Sequence, residues 1–217
     1  MKLRTLDNLQ DHLDSDFSWR IKEISDIKLS AKSAISNRQN TLIRAGVPLL
    51  YAHWEGFVKN SAEAYINFVA FQRLKLGELS CNFAAIAARN HIFGLTDSNK
   101  GKAGSEAIAF LRSRTDLPAE LSNSFTVNTK SNLNSEVFED IAATIGIDSN
   151  RYETKYNLMD LSLLKQRNCI AHGEYLQLNL DSYIKLSDEI CILLRWVKND
   201  IQNGASTNAF RYSSVAS

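Results

Sequence analysis

The sequence predicts an all-α fold, an antiparallel helical bundle. Only two prolines, Pro48 and Pro118, and nine glycines occur in 217 residues, so long stretches lack either. An all-β fold would need frequent turns and their residues. Apolar side chains recur at steps of three and four over long segments near both ends, the period of an amphipathic helix. Two long helices near the start and two strongly apolar ones near the end suit a bundle, with the middle third capping it or packing on its side.

The first helix is expected from Leu6 to about Asn37, with Leu6, Leu9, Leu13, Phe17, Ile21, Ile24, Ile27 and Leu29 as its apolar series. The second is expected from Thr41 to about Arg73, with Ile43, Val47, Leu50, Trp54, Phe57, Tyr65 and Phe68 on one broad face. Pro48 should kink its first turns or mark its true start, because proline lacks the amide the helix needs. At about 100° per residue, Arg44, Tyr51 and Glu55 share a different face. That face suits a neighbour or a site, and its simplest reading is a polar surface stripe.

A shorter helix is expected from Ser80 to Phe93 and a fourth over "GKAGSEAIAFLRSR". The polar segment from Thr115 to about Leu133 reads as an exposed loop or insertion, with one short extended piece at "SFTVN". A fifth helix follows in "NSEVFEDIAATIGI", with Asn134 or Ser135 as N-cap and Gly146 as its stop. A sixth covers "NLMDLSLLKQRNCIAH", with Leu158, Leu161 and Leu164 as its buried stripe, continued one turn on by Asn168 and Ala171. The last begins near Asp181 as N-cap and carries Tyr183, Leu186, Ile190, Leu193, Leu194, Val197 and Ile201. One domain over 1–203 is expected, with 204–217 a flexible tail.

Composition excludes several classes. The net charge is +1, so no global positive field announces a nucleic-acid binder. Cys81, Cys169 and Cys191 stand singly, which suggests neither a disulfide framework nor a zinc site. No secretory signal opens the chain and no run approaches a membrane span, so a cytoplasmic protein is expected.

One stretch carries possible chemistry: "LLKQRNCIAHGEYLQ", Leu163 to Gln177. Arg167 and His172 are separated by about 140° around a continuous helix and roughly 7.5 Å along it. Gly173, however, sits where helices commonly end in a left-handed residue. If the helix unwinds at His172, the imidazole can swing beside the arginine and the two can share a phosphodiester. Arginine offers a fixed donor fork for phosphate oxygens, and histidine moves protons near neutral pH. Neither role needs a metal or cofactor. The same residues also read as a helix end: a histidine on the dipole, an arginine in surface ion pairs, an asparagine bonding within the core. Physics alone leaves both open. Among other candidates, His53 reads as a partly buried structural histidine, Glu55 as a surface acid, Trp54 and Phe57 as core, and Cys169 as packing. His12 and His91 have no evident partner.

"RNCIAHGE" resembles the signature of the HEPN superfamily of small helical bundles. That signature is an arginine, a polar residue directly after it, and a histidine after four to six intervening residues. Arg167, Asn168 and His172 match. "LLYAHWEGFVKNSAEAY" is similar to the second long helix of a bacterial branch of HEPN-like nucleases related to the RiboL-PSP-HEPN group, and "NLNSEVFEDIAATIGI" fits the approach to the motif helix. The resemblance runs from about Arg44 to about Asp200. It implies a bundle of HEPN type and an RNA endonuclease that works without metal, often a toxin or anti-phage effector. Two protomers would join their motifs at a dimer cleft, and a ribose 2′-hydroxyl would attack the adjacent phosphate. Arg167 would hold the phosphate, His172 would handle the proton and Asn168 would orient or bond. An antitoxin or defence partner is implied, as is, alternatively, a non-catalytic module that binds RNA, a nucleotide or a protein. One toxin subgroup carries a modified tyrosine two residues after the histidine; here Tyr175 lies three residues after it.

Overall fold

The computed structural model describes residues 2–89, 101–121, 127–129 and 132–213, with 101–103 described by their backbone alone. His91, the expected end of the third helix at Phe93 and most of "SFTVN" lie outside the described residues. The described chain is all-α, with helices and no strand among its described residues. No helix of these is long and apolar enough to cross a membrane.

Helix α1 (Leu6–Ser33) begins on Thr5, whose hydroxyl accepts from the Asn8 amide, and buries Leu9, Leu13, Ile24 and Ala31. Leu29 is turned outward and Ala31 takes its place on the buried face. The helix ends four residues sooner than expected. Ala34 and Ile35 are extended, and α2 (Ser36–Phe71) starts immediately after them. Gln39 explains how so short a link works. Its side-chain amide donates to the carbonyls of Ala31 and Ala34, which a helix end leaves without partners. Pro48 lies within α2 and does not mark its start. Trp54 and Phe57 are fully buried, as expected.

The last long helix, α7 (Leu180–Ser206), closes a three-helix core with α1 and α2. Its cap is Asn179, whose side chain accepts from the Ser182 amide, so Asp181 sits in the first turn instead of at the cap. Lys28 pairs with Asp188 and Lys198 with Asp14, which sets α7 antiparallel to α1. Gly46 meets Tyr183 and Gly204 meets Tyr65, which sets it parallel to α2. Leu9, Leu50, Trp54, Ile190 and Leu194 fill the space between them. Each such side chain contributes about 1.5–3 kcal/mol when fully buried.

The middle third packs on one side, through α3 (Cys81–Ala87) and α5 (Ser135–Ile145). Between them in the chain, α4 (Gly101–Arg114) buries Ala107 and turns most of its described side chains outward. Asn134 caps α5 by accepting from the Val137 amide, and Gly146 ends it at φ +71°. The described residues of the segment expected as an exposed loop form no helix, yet Leu121, Val127, Thr129 and Leu133 are buried. The Val127 amide donates to Glu63 of α2 at 3.0 Å. Apolar anchors spaced through polar sequence hold this loop against the bundle.

The tail is not frayed at its start. Phe210 is buried against the rings of Tyr65 and Phe68. The Ser80 amide donates to Phe210 at 2.8 Å and the Tyr212 amide to Glu78 at 2.8 Å. One buried aromatic ring thus ties residues 204–212 into the domain, past the expected boundary at 203.

Candidate active site

The motif sits at the end of a helix whose first part is wound differently. Leu158–Leu164 is a π-helix, and the Lys165 amide donates to Asp160, five residues back. The wider turn changes which residues face inward. Met159 and Leu163 are fully buried, while Leu161 is 55% exposed. The stripe expected on Leu161 is therefore displaced; Leu158 and Leu164 flank the core, half-buried. Asp160 has a further use. Its two carboxylate oxygens accept from the Ser135 amide at 2.7 Å and the Ser135 hydroxyl at 2.6 Å, binding the π turn to the start of α5.

The motif helix α6 (Lys165–Ala171) continues without a break. Its α winding ends at Ala171, with His172 as the C-cap. His172 keeps its amide bonded to Asn168 at 2.9 Å, and Gly173 takes the left-handed conformation at φ +77°. Gly173 then donates to Ile170 and Glu174 to Cys169, the paired bonds of a Schellman ending. A Cβ on Gly173 would meet nothing within 4 Å, so only its backbone conformation calls for glycine there. His172 thus stays in the last turn instead of leaving it, and its side chain is exposed.

Arg167 and Asn168 are brought together directly. The Asn168 side-chain oxygen accepts from Arg167 Nη1 at 2.7 Å, and Asn132 accepts from the same nitrogen at 3.3 Å. The guanidinium lies 4.2 Å above the ring of Tyr51, within cation–π range. Tyr51 is only 2% exposed, and its hydroxyl accepts from the Leu133 amide at 2.7 Å. Burial pushes the Tyr51 phenol up to about 12, and the Glu55 carboxylate adds to that. The Leu133 amide and Arg167 pull the other way without prevailing.

Arg44, one face-repeat earlier on α2, reaches the other end of the motif. Its guanidinium donates to the carbonyls of Leu176 at 3.2 Å and Glu174 at 3.0 Å and lies 6.0 Å from the Tyr175 ring. Tyr175 itself is 85% exposed. The stripe of Arg44 and Tyr51 is therefore no free surface. It is the face on which the motif helix and its exit segment rest, running antiparallel to α2. Glu55 is half-buried beside Tyr51 instead of a fully exposed acid. Cys169 carries a thiol pushed up by its bond to the Glu174 carboxylate, which disfavours the thiolate.

A second polar cluster lies between α1 and α2. Arg20 is 5% exposed, paired with Asp16 at 3.1 Å and stacked over Trp19 at 4.5 Å. It occupies the space that a side chain at position 56 would need, its Nη1 lying 2.9 Å from a Cβ there. His53 is buried more fully than the sequence reading had it, with Nε2 2.9 Å from the Glu23 carboxylate. Burial lowers its pKa and Arg20 adds to this; the Glu23 carboxylate opposes it and is half exposed to water.

Residues 9–210 match the HEPN_MAE_28990-like HEPN family. The chain belongs to the HEPN superfamily. No curated protein and no solved structure matches it. In this HEPN chain the match takes in α1 from Leu9 and the Phe210 anchor, beyond the stretch in which the sequence resemblance was visible. HEPN domains are generally ribonucleases or nucleotide-binding modules. Tyr51 and Asn132 are the contacts of Arg167 that sequence reasoning missed. The stripe on α2 was the one visible signal for Tyr51, and Asn132 had none.

Proposed function

We propose that this HEPN chain is a metal-independent RNA endonuclease, acting in the cytoplasm as a toxin or anti-phage effector. The observation that carries this is the state of the motif. Arg167 is half-buried and held in a defined plane, and His172 is exposed at the helix end a few residues away. Both groups reach solvent, where a phosphate can meet them, and Arg167 is already held by Asn168, Asn132 and the Tyr51 ring.

The chemistry follows from the residue types. The ribose 2′-oxygen attacks the adjacent phosphorus, forming the 2′-O–P bond as the P–O5′ bond breaks. The products are a 2′,3′-cyclic phosphate and a 5′-hydroxyl. Arg167 stabilises the charge that grows on the non-bridging oxygens, through donors fixed before the reaction. His172 moves a proton, taking it from the 2′-hydroxyl or giving it to the leaving 5′-oxygen. Two protomers with facing motifs supply both proton transfers, so the active form proposed is a homodimer with a composite site. Asn168 orients Arg167 through their hydrogen bond. An antitoxin or defence partner would hold the activity in check.

The test is cleavage of RNA in EDTA by the wild type, Arg167→Ala and His172→Ala. The expected result is cleavage by the wild type alone, with cyclic-phosphate ends, and none of a substrate carrying 2′-deoxyribose at the cut. Cleavage by His172→Ala at the wild-type rate overturns the assignment. An RNA that binds but is never cut favours the binding module.

A further inference from the structure

The geometry points to Tyr51 as the positioning residue that sets the plane of Arg167. This rests on the ribonuclease reading for its consequence but not for its geometry. Arg167 is a long side chain in the last turns of the motif helix, and a helix backbone does not fix such a side chain by itself. Tyr51 comes from the longest helix of the fold and is nearly inaccessible, so its ring is a fixed floor. The guanidinium lies 4.2 Å from that ring's centre, which restricts it to one layer.

The tyrosine hydroxyl adds a second constraint. It accepts from the Leu133 amide at 2.7 Å and so fixes the neighbouring Asn132, whose side-chain oxygen accepts from Arg167 Nη1. Asn168 holds the same nitrogen from within the motif helix. One residue therefore supplies both the floor and, through residues 132–133, part of the wall.

A guanidinium that stabilises transition-state charge must be placed before the charge appears. A misplacement of about 1 Å at such a group costs up to about 100-fold in rate. Removing the floor should therefore act on kcat more than on substrate affinity. Tyr51→Phe keeps the floor and loses the wall; Tyr51→Leu loses both.

The experiment measures steady-state RNA cleavage for both variants in the wild-type and Arg167→Lys backgrounds, alongside thermal midpoints. Tyr51→Leu is expected to lower kcat by about 30- to 100-fold, with KM within about threefold. Tyr51→Phe is expected to fall between it and the wild type. In Arg167→Lys the ammonium has no plane to set, so Tyr51→Leu should cost less than about threefold there. An equal loss in both backgrounds overturns the proposal, because Tyr51 then acts on something other than the guanidinium.

A readout independent of cleavage keeps the two readings apart. In arginine-labelled protein, the Arg167 Nη signals should be separated by slow rotation about the Cζ–Nε bond, and Tyr51→Leu or Asn132→Ala should merge them. The Arg167→Lys spectrum identifies the signal by its loss. Unaltered Nη signals in both variants overturn the positioning role whether or not RNA is cut. Merged signals in a protein that cuts no RNA support the positioning role and refute the ribonuclease reading.

Discussion

Gly46→Ala is expected to destabilise the protein although it places a better helix former in the middle of α2. Helix propensity alone favours alanine by about 1 kcal/mol. The close approach of α7 opposes it. A Cβ at position 46 would stand 2.6 Å from Cζ and 2.8 Å from Cε2 of Tyr183. Ordinary carbon–carbon contact is about 3.5–4.0 Å, so the ring must retreat by roughly 1 Å. Tyr183 is 2% exposed and aromatic, so it has no free end to swing aside. Overpacking of this kind costs about 1–3 kcal/mol, and a clash with two atoms of a rigid ring and with its hydroxyl lies at the upper end. Subtracting the propensity gain leaves a net loss of about 2 kcal/mol. For a chain of this size that lowers the thermal midpoint by about 4–8 °C. Circular dichroism melts, with urea unfolding at an unchanged m value, measure it. Tyr183→Phe removes the atom nearest the added carbon and should recover part of the loss. A midpoint for Gly46→Ala that rises by a few degrees would refute the reasoning, since propensity would then be the whole effect.

Other outcomes follow from the same contacts. Burial holds His53 below its usual 6.5, so the unfolded chain takes up that proton first as pH falls. The stability due to neutral His53 is present above pH 6.5 and is lost as pH drops below it through the folded pKa. Urea titrations should show this slope in the wild type and a flatter one in His53→Gln. Asp160→Ala removes both acceptors for Ser135 and should cost about 1–2 kcal/mol, measured as a fall in urea midpoint; Asp160→Asn should lose less. Arg44→Ala frees the carbonyls of Glu174 and Leu176 and should speed chymotrypsin cleavage after Tyr175 several-fold, while the thermal midpoint moves by less than about 3 °C. Cleavage no faster than in the wild type would mean the segment is held by other contacts.

The long helices α1, α2 and α7 were legible because their apolar residues repeat at the helical period, and Gly146 and Gly173 because a left-handed ending asks for glycine. The motif residues were legible from spacing and resemblance. What faced them was not. Tyr51 and Arg167 are far apart in the chain, and the α2 stripe gave no sign of what would lie against it. The break between α1 and α2 contains no glycine or proline; it depends on Gln39 reaching back to carbonyls of the preceding helix. The burial of Arg20 was not legible: its partner Asp16 stands at the ordinary i,i+4 spacing of a surface pair, and nothing local reports the space above Gly56 that it fills. The Phe210 anchor escaped for a similar reason: its rings of contact, Tyr65 and Phe68, come from another helix, while its own neighbours are small and polar. The π winding depends on tertiary contacts such as Asp160 with Ser135, which periodicity does not contain.

That winding makes residue count, as much as residue identity, a determinant of the site. A π turn accommodates about one residue more than the α-helix it interrupts. Deleting a single residue between Leu158 and Leu164 would let the segment relax to ordinary α-helix, with Met159 and Arg167 kept in about the same mutual register. A residue deleted from the α-wound turn just before Arg167 has no such slack to take up. Arg167 would then turn by about 100° and leave the Tyr51 ring with every one of its own atoms intact. The motif is therefore tolerant of a one-residue loss in the π segment and sensitive to the same loss one turn later, where it misaims the arginine without mutating it.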